Sequence, residues 1–119
     1  MKNLILLLAI IFAGQVTAEV PPEQQQEVDH LINFIKTTSC LFIRNGKPHD
    51  GESALAHIQK KYDYFRRKIN STEQFIDYSA TKSTMSGKYY MVKCNDQAPI
   101  KSKDWLIREL EKYRDGNGT

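Results

Sequence analysis

The run CLFIRNG, residues 40–46, is typical of a short β-strand that ends in a turn. Its apolar residues favour an extended backbone, and Asn45-Gly46 is a common turn sequence. A second strand-forming run, YYMVKC, occupies residues 89–94. The first run begins with a cysteine and the second ends with one, so antiparallel pairing would bring the cysteines together and place Phe42 opposite Val92. The two runs therefore predict a short antiparallel ribbon.

The same pairing predicts which polar segments meet. It places Arg44 opposite Tyr90, at the end of the ribbon away from the cysteines. The segments 44–50 and 83–88 then come together at this end of the ribbon.

Apolar residues recur every three or four positions in four other segments, which is the pattern of amphipathic helices. The segments are 28–35, 51–69, the stretch after Ser71 and the stretch after Ser102, with N-caps expected at Asp50, at Ser71 in a capping box with Gln74, and at Ser102. Two strands alone are marginally stable, so helices must cover them. The sequence predicts an α+β domain in the order helix, strand, helix, helix, strand, helix, with four helices packed around a two-stranded antiparallel ribbon.

The first eighteen residues have the parts of a secretory signal peptide. Lys2 supplies a positive charge, residues 4–13 form an apolar core, and Val16-Thr17-Ala18 is a typical cleavage sequence. The alternative is an uncleaved membrane anchor, but the apolar run is shorter than the roughly 20 residues that span a bilayer. We predict export to the periplasm or the medium, cleavage after Ala18, and no membrane span in the mature protein.

The length and charge of the remaining chain fit one small globular domain. The 119 residues include 17 Lys and Arg against 14 Asp and Glu, and loss of the signal peptide leaves a net charge of about +2. So small a charge excludes a dedicated polycation. We expect a single domain over residues 19–115 and a frayed tail at 116–119.

The two cysteines of the mature chain, Cys40 and Cys94, predict a disulfide bond. An even cysteine count in a small exported domain favours a bridge, and closing so long a loop stabilises by about 4 kcal/mol in the chain-entropy model. The alternatives are two buried thiols or a redox pair. The Cys-x-x-Cys spacing of redox pairs is absent.

Polar residues at the turn end of the ribbon form the candidate site. They are Arg44, Asn45, His49, Ser86 and Lys88, with His57 and Lys61 as possible neighbours. Arginine and lysine suit carboxylate or phosphate oxygens, and Gly46 and Gly87 allow backbone N–H groups to approach a ligand. The functional interpretation is an anion-recognising cleft. In the structural interpretation, Arg44 holds loop carbonyls or Asp50, and the glycines supply positive φ angles.

The histidines favour neither a metal nor a cofactor. His49 and His57 lack the i, i+4 spacing that places two ligands on one helical face, so we predict no metal site and no cofactor. A nucleophilic Ser86 with His49 as its base is conceivable, but the sequence shows no aspartate or oxyanion partner for that pair.

The basic and aromatic run at residues 60–68 is not taken as a nucleic-acid site. Tyr62 and Phe65 belong to the apolar stripe of the predicted helix, and the basic residues form a solvated face near its C-terminus. Export also removes most nucleic-acid partners.

Four groups of residues together resemble a family of small exported bacterial proteins, the YfeK-like family of unknown function DUF5329. They are Phe42-Ile43-Arg44-Asn45-Gly46-x-x-His49, then Ala54-x-x-His57 with Lys61, Glu73-Gln74-Phe75-Ile76-Asp77, and Ser86-Gly87-Lys88-x-Tyr90. The resemblance covers most of the mature chain. It implies a bacterial protein, periplasmic in a Gram-negative cell, and carries no assigned activity.

Three functional interpretations follow from the sequence. The first is a non-catalytic binding or accessory protein of the bacterial envelope that recognises an acidic or anionic partner, namely an envelope protein, a cell-wall fragment or a small anion. The alternative is a small hydrolase or transferase with His49 as acid or base. In the third, the candidate residues are structural and the binding surface lies elsewhere.

Overall fold

This computed structural model describes residues 19–117, which contain four α-helices, one 3₁₀ turn and four short strands. The elements are α1 (Pro22–Thr37), β1 (Leu41–Arg44), β2 (Lys47–His49), α2 (Gly51–Tyr64), a 3₁₀ turn (Arg66–Lys68), α3 (Thr72–Ser79), β3 (Met91–Lys93), β4 (Ile100–Lys101) and α4 (Ser102–Asn117). The predicted α+β class is confirmed. The predicted signal peptide, residues 1–18, lies outside the described residues.

Helix α2 begins where the sequence predicts, and α1 begins at Pro22, ahead of the predicted segment 28–35. Helix α1 follows Pro21 and has Pro22 at its first position, where the fixed proline φ suits a helix and the missing N–H costs no hydrogen bond. At the start of α2, the Asp50 carboxylate accepts a hydrogen bond from the Ser53 N–H at 2.9 Å. This bond satisfies one of the free donors of the first helical turn.

The caps of α3 and α4 differ in detail from the prediction. Ser71 Oγ accepts from the Gln74 N–H as expected, but the Gln74 side chain accepts from the Asn70 N–H instead of closing the box on Ser71. The predicted cap at Ser102 is wrong. Ser102 is the first residue of α4 and follows β4 without a loop, its buried hydroxyl has no hydrogen-bond partner among the described residues, and its N–H donates to the Tyr90 carbonyl.

The strands form one antiparallel sheet in the order β2-β1-β3-β4. Phe42 lies opposite Val92, which confirms the predicted register of β1 and β3. At the end of this pair, Cys40 and Cys94 form the predicted disulfide, with their Cα atoms 4.4 Å apart.

The sheet is wider than the predicted two-stranded ribbon. Strands β2 and β4 lie outside β1 and β3 and contain only three and two residues. Such short strands carry no readable alternation of polar and apolar residues. Pro48 also argues against a strand within a sheet, but an edge strand accepts proline because one side of its backbone needs no hydrogen-bond donor.

Helix α2 is shorter than the predicted 51–69. It ends at Tyr64, and the 3₁₀ turn carries the chain on to Ile69, which is fully buried. The three- and four-residue spacing of apolar residues continues through this turn, so periodicity alone does not mark where the α-helix ends.

The core lies between the sheet and the four helices. Each helix contributes buried apolar residues, chiefly Val28, Leu31, Ile35, Ile58, Tyr62, Phe75, Ile76, Leu106 and Leu110. Phe42 and Val92 extend the core to the sheet, and the Trp105 ring meets the Phe42 ring edge-on at 5.3 Å between centroids. These contacts pack the inner strands, β1 and β3, against the helices around the ends of β1 and β2.

The last helix continues to Asn117, so the tail expected from residue 116 lies partly outside the described residues. Within residues 19–117, no helix has the length and apolarity required to cross a bilayer.

Candidate functional site

A small cleft lies between the β1–β2 hairpin and helix α2. Its floor is apolar and buried, formed by Phe42, Ala54 and Ile58, and its polar wall consists of Arg44, His49, His57 and Tyr90. The cleft has a volume of about 10 Å³. That is the space of about one water molecule, so the cleft admits only the tip of a larger group.

Secondary structure places the polar side chains together. Arg44 is the last residue of β1 and His49 the last of β2, so the hairpin presents both to α2. His57 and Lys61 are four residues apart on α2 and share one face of that helix. Tyr90 precedes β3 and approaches the same helical face from the sheet.

The His49 ring contacts the protein through both nitrogens. Its Nε2 lies 3.5 Å from Arg44 Nη2, which makes a long, weak hydrogen bond. Its Nδ1 lies 3.2 Å from Ser53 Oγ, so the ring joins the end of β2 to the first turn of α2.

Tyr90 links the two basic residues of α2 and is itself only 4% exposed. Lys61 Nζ donates to the Tyr90 hydroxyl at 3.2 Å, and the hydroxyl lies 3.0 Å from His57 Nε2. An ammonium has no lone pair, so the Tyr90 O–H is left to donate to His57. Lys61 Nζ also donates to the Lys82 carbonyl at 2.6 Å, which fixes its position.

The cations of the cleft lack acidic partners. Arg44 and Lys61 form no ion pair with any carboxylate of residues 19–117. Burial lowers the pKa of His57, and the nearby positive charges of Arg44, Lys61, Lys60 and His49 lower it further. Burial and the Arg44 charge also lower the pKa of Lys61. The cleft is therefore a region of uncompensated positive charge.

Burial has the opposite effect on the phenol of Tyr90. It raises the pKa of Tyr90, and the attraction of Arg44 for a phenolate only partly opposes that change. Tyr90 is thus held as a neutral hydrogen-bonding group.

The remaining predicted residues form a rim beside the cleft. Ser86 Oγ donates to Asn45 Oδ1 at 2.6 Å, so the two polar segments meet as the register predicts. The Lys88 N–H donates to Ser86 Oγ, and the Lys88 side chain is exposed. Gly46 and Gly87 have φ angles of 81° and 75°. Glycine adopts positive φ angles without strain, so both turns favour glycine at these positions.

Comparison with known proteins identifies the family. The family model described as "Family of unknown function (DUF5329)" matches residues 22–114, which is most of the chain. The chain belongs to this family. A relative of this DUF5329 protein is "Uncharacterized protein YfeK" of Salmonella typhimurium strain LT2, 31% identical over 85 residues that cover 71% of each chain. The resemblance expected from the sequence is confirmed. No solved structure matches.

Tyr90 is the residue of the DUF5329 site that sequence reasoning missed. It was expected opposite Arg44 on the ribbon, and it ends the Ser86-Gly87-Lys88-x-Tyr90 group. Both observations could have singled it out. The sequence does not show that α2 approaches Tyr90. This approach brings His57 and Lys61 to the Tyr90 hydroxyl.

The DUF5329 cleft has the elements of neither a metal centre nor a hydrolytic triad. Within residues 19–117, no three His, Cys, Asp or Glu side chains are grouped as metal ligands. Ser86 contacts Asn45, whereas Ser53 is the serine beside His49. The third group beside His49 is Arg44, a cation, where a Ser-His-Asp triad has a carboxylate.

A larger surface depression of the DUF5329 protein shares no residue with the cleft. It encloses about 570 Å³ and is bordered by Glu19 and by residues 63–68. Apart from Glu19, its lining comes from a single stretch of chain around the 3₁₀ turn. It does not join the polar groups of different elements as the cleft does.

Proposed function

We propose that this DUF5329 protein is an exported, non-catalytic binding or accessory protein that recognises an anionic group at the cleft. The observation that carries the proposal is the pair of cations Arg44 and Lys61, gathered with His49 and His57 and without an ion pair to any carboxylate of residues 19–117. Like charges held together destabilise a fold, and a site that binds an anion is a common reason for such an arrangement.

The export part of the proposal rests on residues 1–18 and on the disulfide. The signal-peptide features predict transport, and the bond between Cys40 and Cys94 is typical of an oxidising compartment. The Salmonella relative fits a bacterial envelope as the place of action. An envelope protein, a cell-wall fragment or a small anion would supply the negative charge there.

Cleft size and hydrogen bonding favour binding over turnover. A space of about 10 Å³ leaves no room for both a substrate and an attacking group. His57 Nε2 is engaged by Tyr90, and both nitrogens of His49 are engaged by neighbours.

The Ser53–His49 contact at 3.2 Å supports one alternative, a hydrolase or transferase with His49 as base. Turnover of an ester, amide or glycosidic substrate that His49→Ala and Ser53→Ala both abolish would establish that alternative and exclude binding alone.

Thermal unfolding tests the proposed function. Sodium acetate and sodium phosphate are compared with sodium chloride at equal ionic strength, on wild type and on Arg44→Gln. An anion that binds only the native state stabilises it by about 1.4 kcal/mol at ten times its Kd, which raises the Tm of a domain of this size by about 5–10 °C. At least one of the two anions should raise the Tm of wild type by more than that of Arg44→Gln.

The matched control is Arg108→Gln, which removes one exposed charge on α4 outside the cleft. This variant should respond to anions like wild type. Equal Tm shifts in wild type and Arg44→Gln would mean that the anions act on the whole surface, and the proposed function would be wrong.

A further inference from the structure

We infer that the group held in the cleft is a carboxylate, not a phosphate. This inference rests on the proposed function and names the chemistry of its ligand. Four features of the cleft carry it: its size, its apolar floor, the closed N-terminus of α2, and the placement of its donors.

The size of the cleft favours a flat anion with two oxygens. Only a space of about 10 Å³ lies below the rim, which admits one oxygen atom. A carboxylate can insert one oxygen and keep its second oxygen and its carbon stem outside. A tetrahedral phosphate that inserts one oxygen must hold its three others outside this space.

The floor of the cleft also disfavours an anion with polar atoms on all sides. Phe42, Ala54 and Ile58 are at most 7% exposed and offer no hydrogen-bond donor from their side chains. Phosphate oxygens pressed against them would lose hydrogen bonds with water without replacement. The carbon stem of a carboxylate loses nothing by lying beside apolar groups.

The usual phosphate position, a free helix N-terminus, is already occupied. At the start of α2 the Asp50 carboxylate accepts from the Ser53 N–H. Gly51 is buried against α1, where a Cβ atom would lie 2.2 Å from the Ile35 carbonyl oxygen. The charge of Asp50 at this helix end repels a second anion, and a dianion most strongly.

The donors of the cleft suit a single negative charge. Arg44 is the permanent cation of the wall, and its planar guanidinium matches the two oxygens of a carboxylate. Lys61 reaches the site through the Tyr90 hydroxyl. His57 Nε2 lies against the Tyr90 hydroxyl, and burial lowers the pKa of this ring, which favours its neutral form.

An NMR titration of the ¹⁵N-labelled mature protein, residues 19–119, at pH 7 tests the inference. The probes are sodium acetate, N-acetyl-alanine, inorganic phosphate and the uncharged N-acetyl-alaninamide, all at constant ionic strength. Both carboxylates should shift resonances of residues 42–49 and 54–58 saturably, with Kd values at least tenfold lower than that of phosphate. The amide should cause no saturable shift.

Two variants of Arg44 test whether its guanidinium recognises the carboxylate. Arg44→Gln should weaken binding of both carboxylates at least tenfold. Arg44→Lys keeps the charge but loses the planar fork, so it should lose most of the preference for carboxylate over phosphate. Arg108→Gln should match wild type. Tighter binding of N-acetyl-alanine than of acetate would identify a peptide C-terminus as the source, and equal binding would identify the carboxylate alone.

Each failure has a distinct meaning. Phosphate binding as tightly as the carboxylates, with the same dependence on Arg44, would overturn the carboxylate assignment and leave anion recognition standing. No saturable shift with any of the three anions would overturn both the assignment and the proposed function.

Discussion

The Tyr90 hydroxyl sets the direction of the hydrogen bonds in the cleft. It accepts from Lys61, which has only donors, and so it donates to His57 Nε2. Protonation of His57 would turn this acceptor into a donor and add a charge beside Arg44. The geometry and the electrostatics therefore act in the same direction at His57, and both favour the neutral ring.

The pH dependence of His57 follows from its surroundings. Its pKa lies below the ordinary value of 6.5 because of burial and then of the Arg44 charge, so Arg44→Gln should raise it. The unfolded chain takes up this proton first as the pH falls. The stability that neutral His57 contributes is thus present above about pH 6.5 and lost as the pH falls through the lower folded-state pKa. NMR titration of the His57 ring protons measures the shift.

Arg108→Gln is the control for the titration and should leave the His57 pKa unchanged. A pKa at or above 6.5 in wild type, or the same pKa in wild type and Arg44→Gln, would show that Arg44 does not govern the protonation of this ring.

At the scale of elements, the backbones of α1 and α2 approach each other closely at Gly51. A Cβ atom there would lie 2.2 Å from the Ile35 carbonyl oxygen and 3.0 Å from that of Lys36. Both contacts are with backbone, so no side-chain rotation relieves them. Gly51→Ala must separate the two helices and should lower the free energy of unfolding by about 1–3 kcal/mol. Urea unfolding followed by circular dichroism measures the change.

Gly116→Ala provides the comparison, since no atom lies within 4 Å of its added Cβ and alanine favours the helix. It should leave stability unchanged or raise it by less than about 1 kcal/mol. Equal effects of the two substitutions would contradict the close approach of α1 and α2.

Arg114 joins three helices through two carboxylates. From α4 it donates to Glu27 of α1 at 2.8 and 2.9 Å and to Glu73 of α3 at 2.8 Å. These bonds lower the pKa of both glutamates, and Glu27 also accepts from the Thr72 hydroxyl. The network therefore ties the N-terminal and C-terminal helices of the described chain to the short α3.

Arg114→Gln should lower the free energy of unfolding at pH 7 by about 1–2 kcal/mol. The loss is smaller than that for a fully buried pair because the Arg114 side chain is 39% exposed. The lowered glutamate pKa values give stability that is present above their ordinary value of 4.5 and lost as the pH falls through the folded-state values. The gap between wild type and variant should therefore shrink in acid unfolding experiments.

Arg66→Gln is the matched change for Arg114. It breaks an exposed pair with Asp63 and removes the guanidinium from the Tyr62 ring, whose centroid is 4.2 Å away, so it should cost less than about 1 kcal/mol. If the two arginine variants were equally stable, the three-helix network would contribute nothing beyond a surface pair.

For the whole molecule, the disulfide is the largest single constraint on the unfolded chain. Cys40 and Cys94 are 54 residues apart in sequence, and a loop of that length corresponds to about 4 kcal/mol in the chain-entropy model. Reduction, or the double change Cys40→Ala and Cys94→Ala, should lower stability by up to that amount. Unfolding with and without reductant measures it. Mass spectrometry should find the unreduced protein two hydrogens lighter than the reduced form, and two free thiols would contradict the bond.

Sequence patterns predict the long and inner elements of this fold because each leaves a local trace. The stripes of α1 and α3 and the cap at Asp50 are read from neighbouring residues, and the Phe42–Val92 register follows from the cysteines that end two strand-forming runs. Strands of two or three residues leave no such trace, so β2 and β4 emerge only in the structure. Pro48 even argued against the first of them.

The candidate site was predictable from the sequence to the same extent as the fold. Its charged residues come from recognisable segments, and the ribbon register brings Ser86 to Asn45. The contacts of Tyr90 with His57 and Lys61 join residues 33 and 29 positions apart. They depend on how α2 lies across the sheet, which no local pattern specifies.

The position of the disulfide has a topological consequence for the cleft. Every residue of its floor and wall lies between Cys40 and Cys94, so one covalent ring holds all of them. Helices α1 and α4 lie outside the ring. Unravelling at either end of the chain therefore leaves the segments of the cleft joined to one another at both ends.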